Sequence, residues 1–387
     1  MKKRSIWLAL ALAVLASCVE KLPPIDETTS LRIELLAPTD PGAPDRRLDL
    51  AARTVEIRVT AIDSFGEVDT ALDRDVKVYV QYLGSLTPSL GAPLPFATIP
   101  LVAGVSAPTT LTLPQVFGPT TLWIEDDTEG GSYPTGTSPT LWYRDPFLND
   151  ISTPRDLMGL DALTSSPLQN KQVSVTGSRH GANGRIVVTG VYAQGYTVSD
   201  VLCADAAGTP PCTTGDFDHV LVFSFSRPKD EQARDLQTGQ FIDGFAGGVV
   251  EFNGLTEIGF PQSFVTDTSA DLARVPPPAV VIGSGVGSWF ATGFIEFEKR
   301  EGGLIAVEGG TVCPLDADYT TYKQWKLDVG RGCGAPINVI TAGVADFDPA
   351  TKVGMALTRV IGSLRPVNIG SFNVWIMYPR FSADVVP

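Results

Sequence analysis

Alternation of apolar and polar residues is the strongest pattern along the chain. Leu31, Ile33 and Leu35 alternate with polar neighbours, and so do Val55, Ile57, Val59 and Ala61, then Val76, Val78 and Val80. A period of two puts such residues on one face of a strand. Further β-prone runs lie at 97–102, 109–113, 120–124 and 140–144, each bounded by Gly, Pro or Asp. These seven runs, with no competing helical period, predict an all-β unit over 31–145. The stretch 146–167 loses the alternation and carries Pro146, Pro154 and Pro167. It reads as a linker with a helical turn near Arg155–Leu160.

Beyond it, strands are expected near 171–175, 185–192, 196–199, 220–224, 247–252 and 255–258. Asn253-Gly254, set between Phe252 and Leu255, is a type I′ hairpin signal, because both central positions need positive φ. Asp230–Gln237 is the one helix-compatible stretch of this unit. Pro276-Pro277-Pro278 and the glycine-rich 283–288 mark a second linker, and a third unit follows. The divisions are therefore 168–275, a linker at 276–288, and 289–387. Two landmarks recur in order. Thr189-Gly190-Val191-Tyr192 is echoed by Thr292-Gly293-Phe294-Ile295, and Gly248–Asn253 by Gly343–Asp348. A cysteine pair lies between the landmarks each time, so two homologous β modules are expected.

Seven short strands over 31–145 suggest an immunoglobulin-like sandwich. The run Val59-Thr60-Ala61-Ile62-Asp63-Ser64-Phe65-Gly66 resembles the strand-and-turn pattern of bacterial Ig-like surface domains. Val188-Thr189-Gly190-Val191 and Gly248–Glu257 resemble the OB-like modules of bacterial extracellular nucleases and related secreted proteins. That likeness covers about 168–270 closely and 288–380 loosely, and the nuclease catalytic domain is missing. The implied architecture is an N-terminal Ig-like β-sandwich followed by two OB-like β-barrel modules.

The N-terminus changes the picture from fold to location. Lys2, Lys3 and Arg4 precede the apolar run Ile6–Ala16, which is too short to span a bilayer and fits a secretory signal. Leu15-Ala16-Ser17-Cys18 resembles a bacterial lipobox, so residues 1–17 read as the signal peptide and Cys18 as the lipidated residue. Val19 after it implies sorting to the outer membrane, facing the periplasm or the cell surface. Residues 18–30 then read as a tether.

Loss of the three leader cations would take the net charge from −14 to −17. A chain this acidic is repelled by phosphate backbones, so nucleic acid is disfavoured and the membrane is reached through the acyl chains at Cys18. The other four cysteines are even in number and exported, which favours disulfides. Cys203–Cys212 and Cys313–Cys333 each close a local loop, in slots expected to be equivalent. No two cysteines stand two residues apart, which argues against zinc.

Candidate chemistry is sparse. Gly283-Ser284-Gly285-Val286-Gly287-Ser288 lacks the Lys-Ser/Thr of a phosphate loop. Ser178-Arg179-His180-Gly181 sets a Ser near a His without a nucleophile elbow, and His180 reads as a solvated turn residue. Asp216-Phe217-Asp218-His219, Glu125–Glu129 and the pair Asp316 and Asp318 are weak cation candidates. Tyr192, Tyr196, Phe223 and Phe252 form either a binding face or core. No basic cluster accompanies them: residues 170–290 hold seven Lys/Arg against twelve Asp/Glu. The expectation is a non-enzymatic surface lipoprotein, without cofactor or metal, that acts as a binding or structural module for a protein, glycan or envelope component. The alternative, resting on the OB resemblance, is a nucleic-acid-binding or nuclease-accessory protein.

Overall fold

The computed structural model describes residues 27–86, 95–126, 134–154, 165–282, 295–369 and 372–387. Cys18, Arg155–Leu160, 283–288 and Thr292–Phe294 lie outside them. The described chain is mostly β and forms four sheets.

The N-terminal region pairs two sheets. β1 (Thr28–Ala37) and β2 (Thr54–Asp63) lie antiparallel. β3 (Arg74–Tyr82), β4 (Ser85–Leu86) and β5 (Ala97–Leu101) follow, and β6 (Thr109–Thr112) returns to β2. β7 (Pro119–Asp126), β8 (Thr135–Thr137) and β9 (Leu141–Trp142) complete the region. One sheet has the order β1-β2-β6, the other β4-β3-β7-β8, with β5 on β3 and β9 on β7. The alternation read from the sequence is the alternation of burial. Val55, Ile57, Val59 and Ala61 face Val76, Val78, Val80, Leu122 and Ile124 in one core.

The middle sheet contains β10 (Gln172–Val175), β11 (Gly184–Tyr192), β12 (Gly195–Leu202), β13 (His219–Val222), β14 (Phe241–Ile242), β15 (Gly244–Phe252) and β16 (Leu255–Phe264). β11, β12 and β13 form an antiparallel meander, and β15 and β16 a hairpin. β16 then pairs parallel with β13, while β10 pairs with β15. Asn253 (φ 53°) and Gly254 (φ 82°) make the hairpin turn that their residue types require.

The C-terminal sheet repeats that order. It contains β17 (Ala279–Ile282), β18 (Leu304–Val312), β19 (Gln324–Asp328), β20 (Ile337–Ile340), β21 (Ala356–Ile369), β22 (Phe372–Tyr378) and β23 (Val385–Val386). β18, β19 and β20 form the meander, β21 and β22 the hairpin, and β22 pairs parallel with β20. β18 also pairs with β21, which closes the sheet into a barrel.

Three expectations need correction. Asp230–Gln237 is not helical: the Asp230 carboxylate accepts the backbone N–H groups of Gln232 and Arg234 and folds a turn with Ala233 at φ 62°. The repeat landmarks do not occupy matching elements. Gly248–Asn253 ends β15, whereas Gly343–Asp348 lies in turns after β20, and Ile295 opens the short helix Ile295–Glu298. The matching hairpins are β15–β16 and β21–β22, which share order but not sequence. The disulfides form as paired, with Cα atoms 4.0 Å apart in Cys203–Cys212 and 5.8 Å in Cys313–Cys333. Their slots differ, however. Cys203 follows the second meander strand, and Cys313 follows the first.

The three regions are packed together. Within 146–167, the helix Leu148–Ser152 buries Leu148 and Ile151, and the apolar core runs without a break from the sandwich into the middle sheet. Gln172 N–H donates to Leu83 C=O (3.0 Å), and Ser152 Oγ donates to His219 C=O. On the other side, Gly303 lies against the His219 ring so closely that a Cβ would fall 2.5 Å from Cδ2.

Candidate functional site

A concavity of about 910 Å³ runs between the middle sheet and the C-terminal barrel. Its walls are ends of strands, where side chains leave the core. The β15–β16 turn thrusts Phe252 outward, 59% exposed. The β11–β12 turn presents Tyr192 and Gln194, and β21 and β22 supply Arg365 and Tyr378. Gly190 makes room for the Tyr192 ring, since a Cβ there would lie 2.7 Å from Oη. That hydroxyl donates across the seam to Ser363 Oγ (2.8 Å).

Arg365 is the distinctive group. Its guanidinium lies 4.3 Å from the ring centroids of both Tyr192 and Tyr378, whose own rings meet edge-on at 6.5 Å. Stacking of this kind fixes a cation without neutralising it. Nε and Nη2 are buried without a hydrogen-bond partner. The two other groove arginines are paired. Arg380 is clamped by Asp384 and donates to Thr189 C=O (3.1 Å), and Arg227 lies 3.3 Å from Asp235. Glu257 shares the groove. Burial pushes its carboxyl up to about 7, against the downward pull of Arg365.

A second carboxylate group sits at the same seam. Glu251 accepts Ser166 N–H and Thr256 Oγ1–H, both at 2.7 Å, and Thr256 N–H donates to Glu301 Oε1 (2.8 Å). Glu298 and Glu301 are 4% and 7% exposed, and the Oε2 atom of each is buried without a partner. Burial, reinforced by Glu251, pushes Glu298 up to about 9. Burial pushes Glu301 well above the carboxylate range, with Glu298 and Glu251 adding to the shift. For both, burial favours the protonated form.

The remaining sequence candidates fall into structural roles. His180 is not simply solvated: its Nε2 lies 3.2 Å from Asp218 Oδ2. Asp218 is fully buried and clamped by the Arg179 guanidinium at 2.5 and 2.8 Å. Asp200 offers a third oxygen within 4.8 Å, and burial raises it to about 6. Arg179 Nη2, Gly215 N–H and His180 already occupy Asp218 Oδ2, so the arrangement works as an ion-pair lock. Ser178 Oγ accepts His180 N–H (3.0 Å). His219 is buried, held near Ser199 Oγ at 2.7 Å and pushed down to about 4 by burial.

Asp216 turns outward to Arg300 (2.6 Å). Glu125 takes Trp123 Nε1–H, and Asp126 pairs with Arg74; the rest of that acidic run lies outside the described residues. Asp316 and Asp318 clasp Lys326. Tyr196 is core, fully buried and bonded to Ser263. Tyr192, Phe223 and Phe252 line the groove instead.

Sequence reasoning missed Arg365, Tyr378, Glu298 and Glu301. Arg365 sits on the same strand face as Ser363 and Val367, and nothing local marks it as caged. Compared with known proteins, the chain matches no family model, no curated protein and no solved structure.

Proposed function

We propose that the protein is a non-enzymatic lipoprotein of the bacterial outer membrane whose inter-barrel groove binds an envelope or surface component. An Ig-like sandwich would lift two OB-type barrels away from the lipid at Cys18. The sandwich reading is supported by the split of β1-β2-β6 against β4-β3-β7-β8. The OB reading is supported by a meander and hairpin in which the third strand pairs parallel with the last. β10 and β11 then act as two halves of one bent first strand.

The observation that carries the function is Arg365, a guanidinium flanked by two rings, with Nε and Nη2 lacking a hydrogen-bond partner and no ion pair within 4 Å among the described residues, in the wall of the groove. Uncompensated polar groups in a concave site are what a ligand completes. Nucleic acid is disfavoured, because one unpaired arginine offsets little of a net charge of −14.

The test uses full-length protein in mild detergent and lipid-extracted envelope material. Wild type is expected to sediment with that material, and Arg365→Ala to lose roughly tenfold in retention. Equal retention of the two would remove the groove from the account.

A further inference from the structure

The groove also carries information about ligand class. Its usable groups are of three kinds. Arg365 supplies a positive group: Tyr192 and Tyr378 flank its guanidinium at roughly a right angle to each other, Nε and Nη2 are buried, and Nη1 is left for a partner. A carboxylate oxygen accepts a short, charge-assisted hydrogen bond from such a nitrogen. Phe252 supplies a flat apolar face, 59% exposed, with Phe223 on the same wall. Gln194, Asn253 and Glu257 supply amide and carboxyl groups. Their side chains make no hydrogen bond to a described residue, and all three line the groove.

Resting on the reading of this groove as the binding site, we propose that its ligand is an acidic glycan, with a uronic-type carboxylate on Arg365 and a sugar ring against Phe252. A pyranose needs an apolar platform for its C–H face and planar polar side chains for its vicinal hydroxyls. Both stand beside the anion-binding group here. An acidic peptide would use the arginine but would leave the amide set and the aromatic platform without a purpose. A nucleic acid would meet the repulsive field of an acidic chain. The volume, about 910 Å³, lies at the upper end of small-ligand sites and suits a short oligosaccharide.

The cations lining the smaller cavity near Trp375 (Lys326 and Arg331) give a contrast, since neither is free. Lys326 there is already paired with Asp316 and Asp318. The inter-barrel groove joins a guanidinium without an ion-pair partner among the described residues to an exposed ring.

Calorimetric titration of full-length protein in detergent tests the proposal with four probes: uronic-acid trisaccharides (galacturonic, glucuronic and mannuronic), their carboxyl-reduced neutral counterparts, tri-glutamate, and a short oligo-thymidylate. At least one uronic trisaccharide is expected to bind saturably. Carboxyl reduction, Arg365→Gln and tri-glutamate are each expected to weaken binding roughly tenfold. Phe252→Ala, a change at an exposed position that leaves the fold intact, is expected to weaken it about threefold or more.

Absence of saturable binding by every uronic trisaccharide would overturn the proposal. Equal binding of tri-glutamate, oligo-thymidylate or the neutral sugars would overturn the ligand class while leaving the groove in place. Saturable binding indifferent to both Arg365→Gln and Phe252→Ala would overturn the groove reading itself.

Discussion

Glu298→Gln and Glu301→Gln are each expected to raise thermal stability at pH 7 and to change it little at pH 4.5. Both carboxyls are buried at the seam, each with one oxygen lacking a partner. Burial pushes Glu298 up from 4.5 to about 9, and Glu301 moves in the same direction. Below the unfolded value of 4.5, both states hold the proton and the groups have no effect on the balance. As pH rises above it, the unfolded chain ionises and the folded chain does not. Stability therefore falls by about 1.4 kcal/mol per pH unit for each such carboxyl.

The loss continues until pH passes the folded value. Glutamine keeps the shape and has no proton to lose, so it is spared this loss. At pH 7 the gain for Glu298→Gln is roughly 3 kcal/mol, or roughly 4 °C in melting temperature for a chain of this size. Melting curves at the two pH values check it. An equal shift at pH 4.5 and pH 7 would mean that the carboxyls are ionised in the folded protein.

Cys18→Ala is expected to abolish acyl labelling and to move the protein out of the membrane fraction. The apolar run Ile6–Ala16 is too short to hold the chain in a bilayer as a span. No described helix is long and apolar enough to cross a membrane. The acidic surface gains nothing from anionic lipid. On the lipoprotein reading, attachment would rest on acyl chains at Cys18, where each buried CH₂ contributes about 0.8 kcal/mol. Labelling with a fatty-acid probe, followed by fractionation after a high-salt wash, measures both effects. A variant that is unlabelled yet remains with the membrane would contradict the lipoprotein reading.

Local pattern reported local structure well. The alternations at Leu31, Val55 and Val76 became β1, β2 and β3, because burial on one face leaves a period of two in the sequence. Asn253-Gly254 fixed a turn through its own backbone preference, and the cysteine loops paired as their spacing suggested. The repeat landmarks misled, because a string such as Gly-Val-x-Glu-Phe is compatible with a strand end and with a turn. The actual likeness between the two sheets lies in pairing order, which composition does not carry.

The site was legible only in part. Phe252, Tyr192 and Phe223 stood out as aromatics near turns. Their partners come from far along the chain: Tyr192 meets Ser363 and Tyr378 across the seam, and Glu301 meets Thr256. No window of sequence contains both halves of such contacts. Arg365 in particular acquires its character from two rings contributed by different sheets.

Amide hydrogen exchange on the full-length protein, with and without lipid-extracted envelope material, tests the central claim most directly. If the groove between the middle sheet and the C-terminal barrel is the binding site, added protection is expected at 191–194, 252–257 and 365–367, the segments that form its walls. Saturable binding with protection confined to the N-terminal sandwich, or absent from all three segments, would contradict the account.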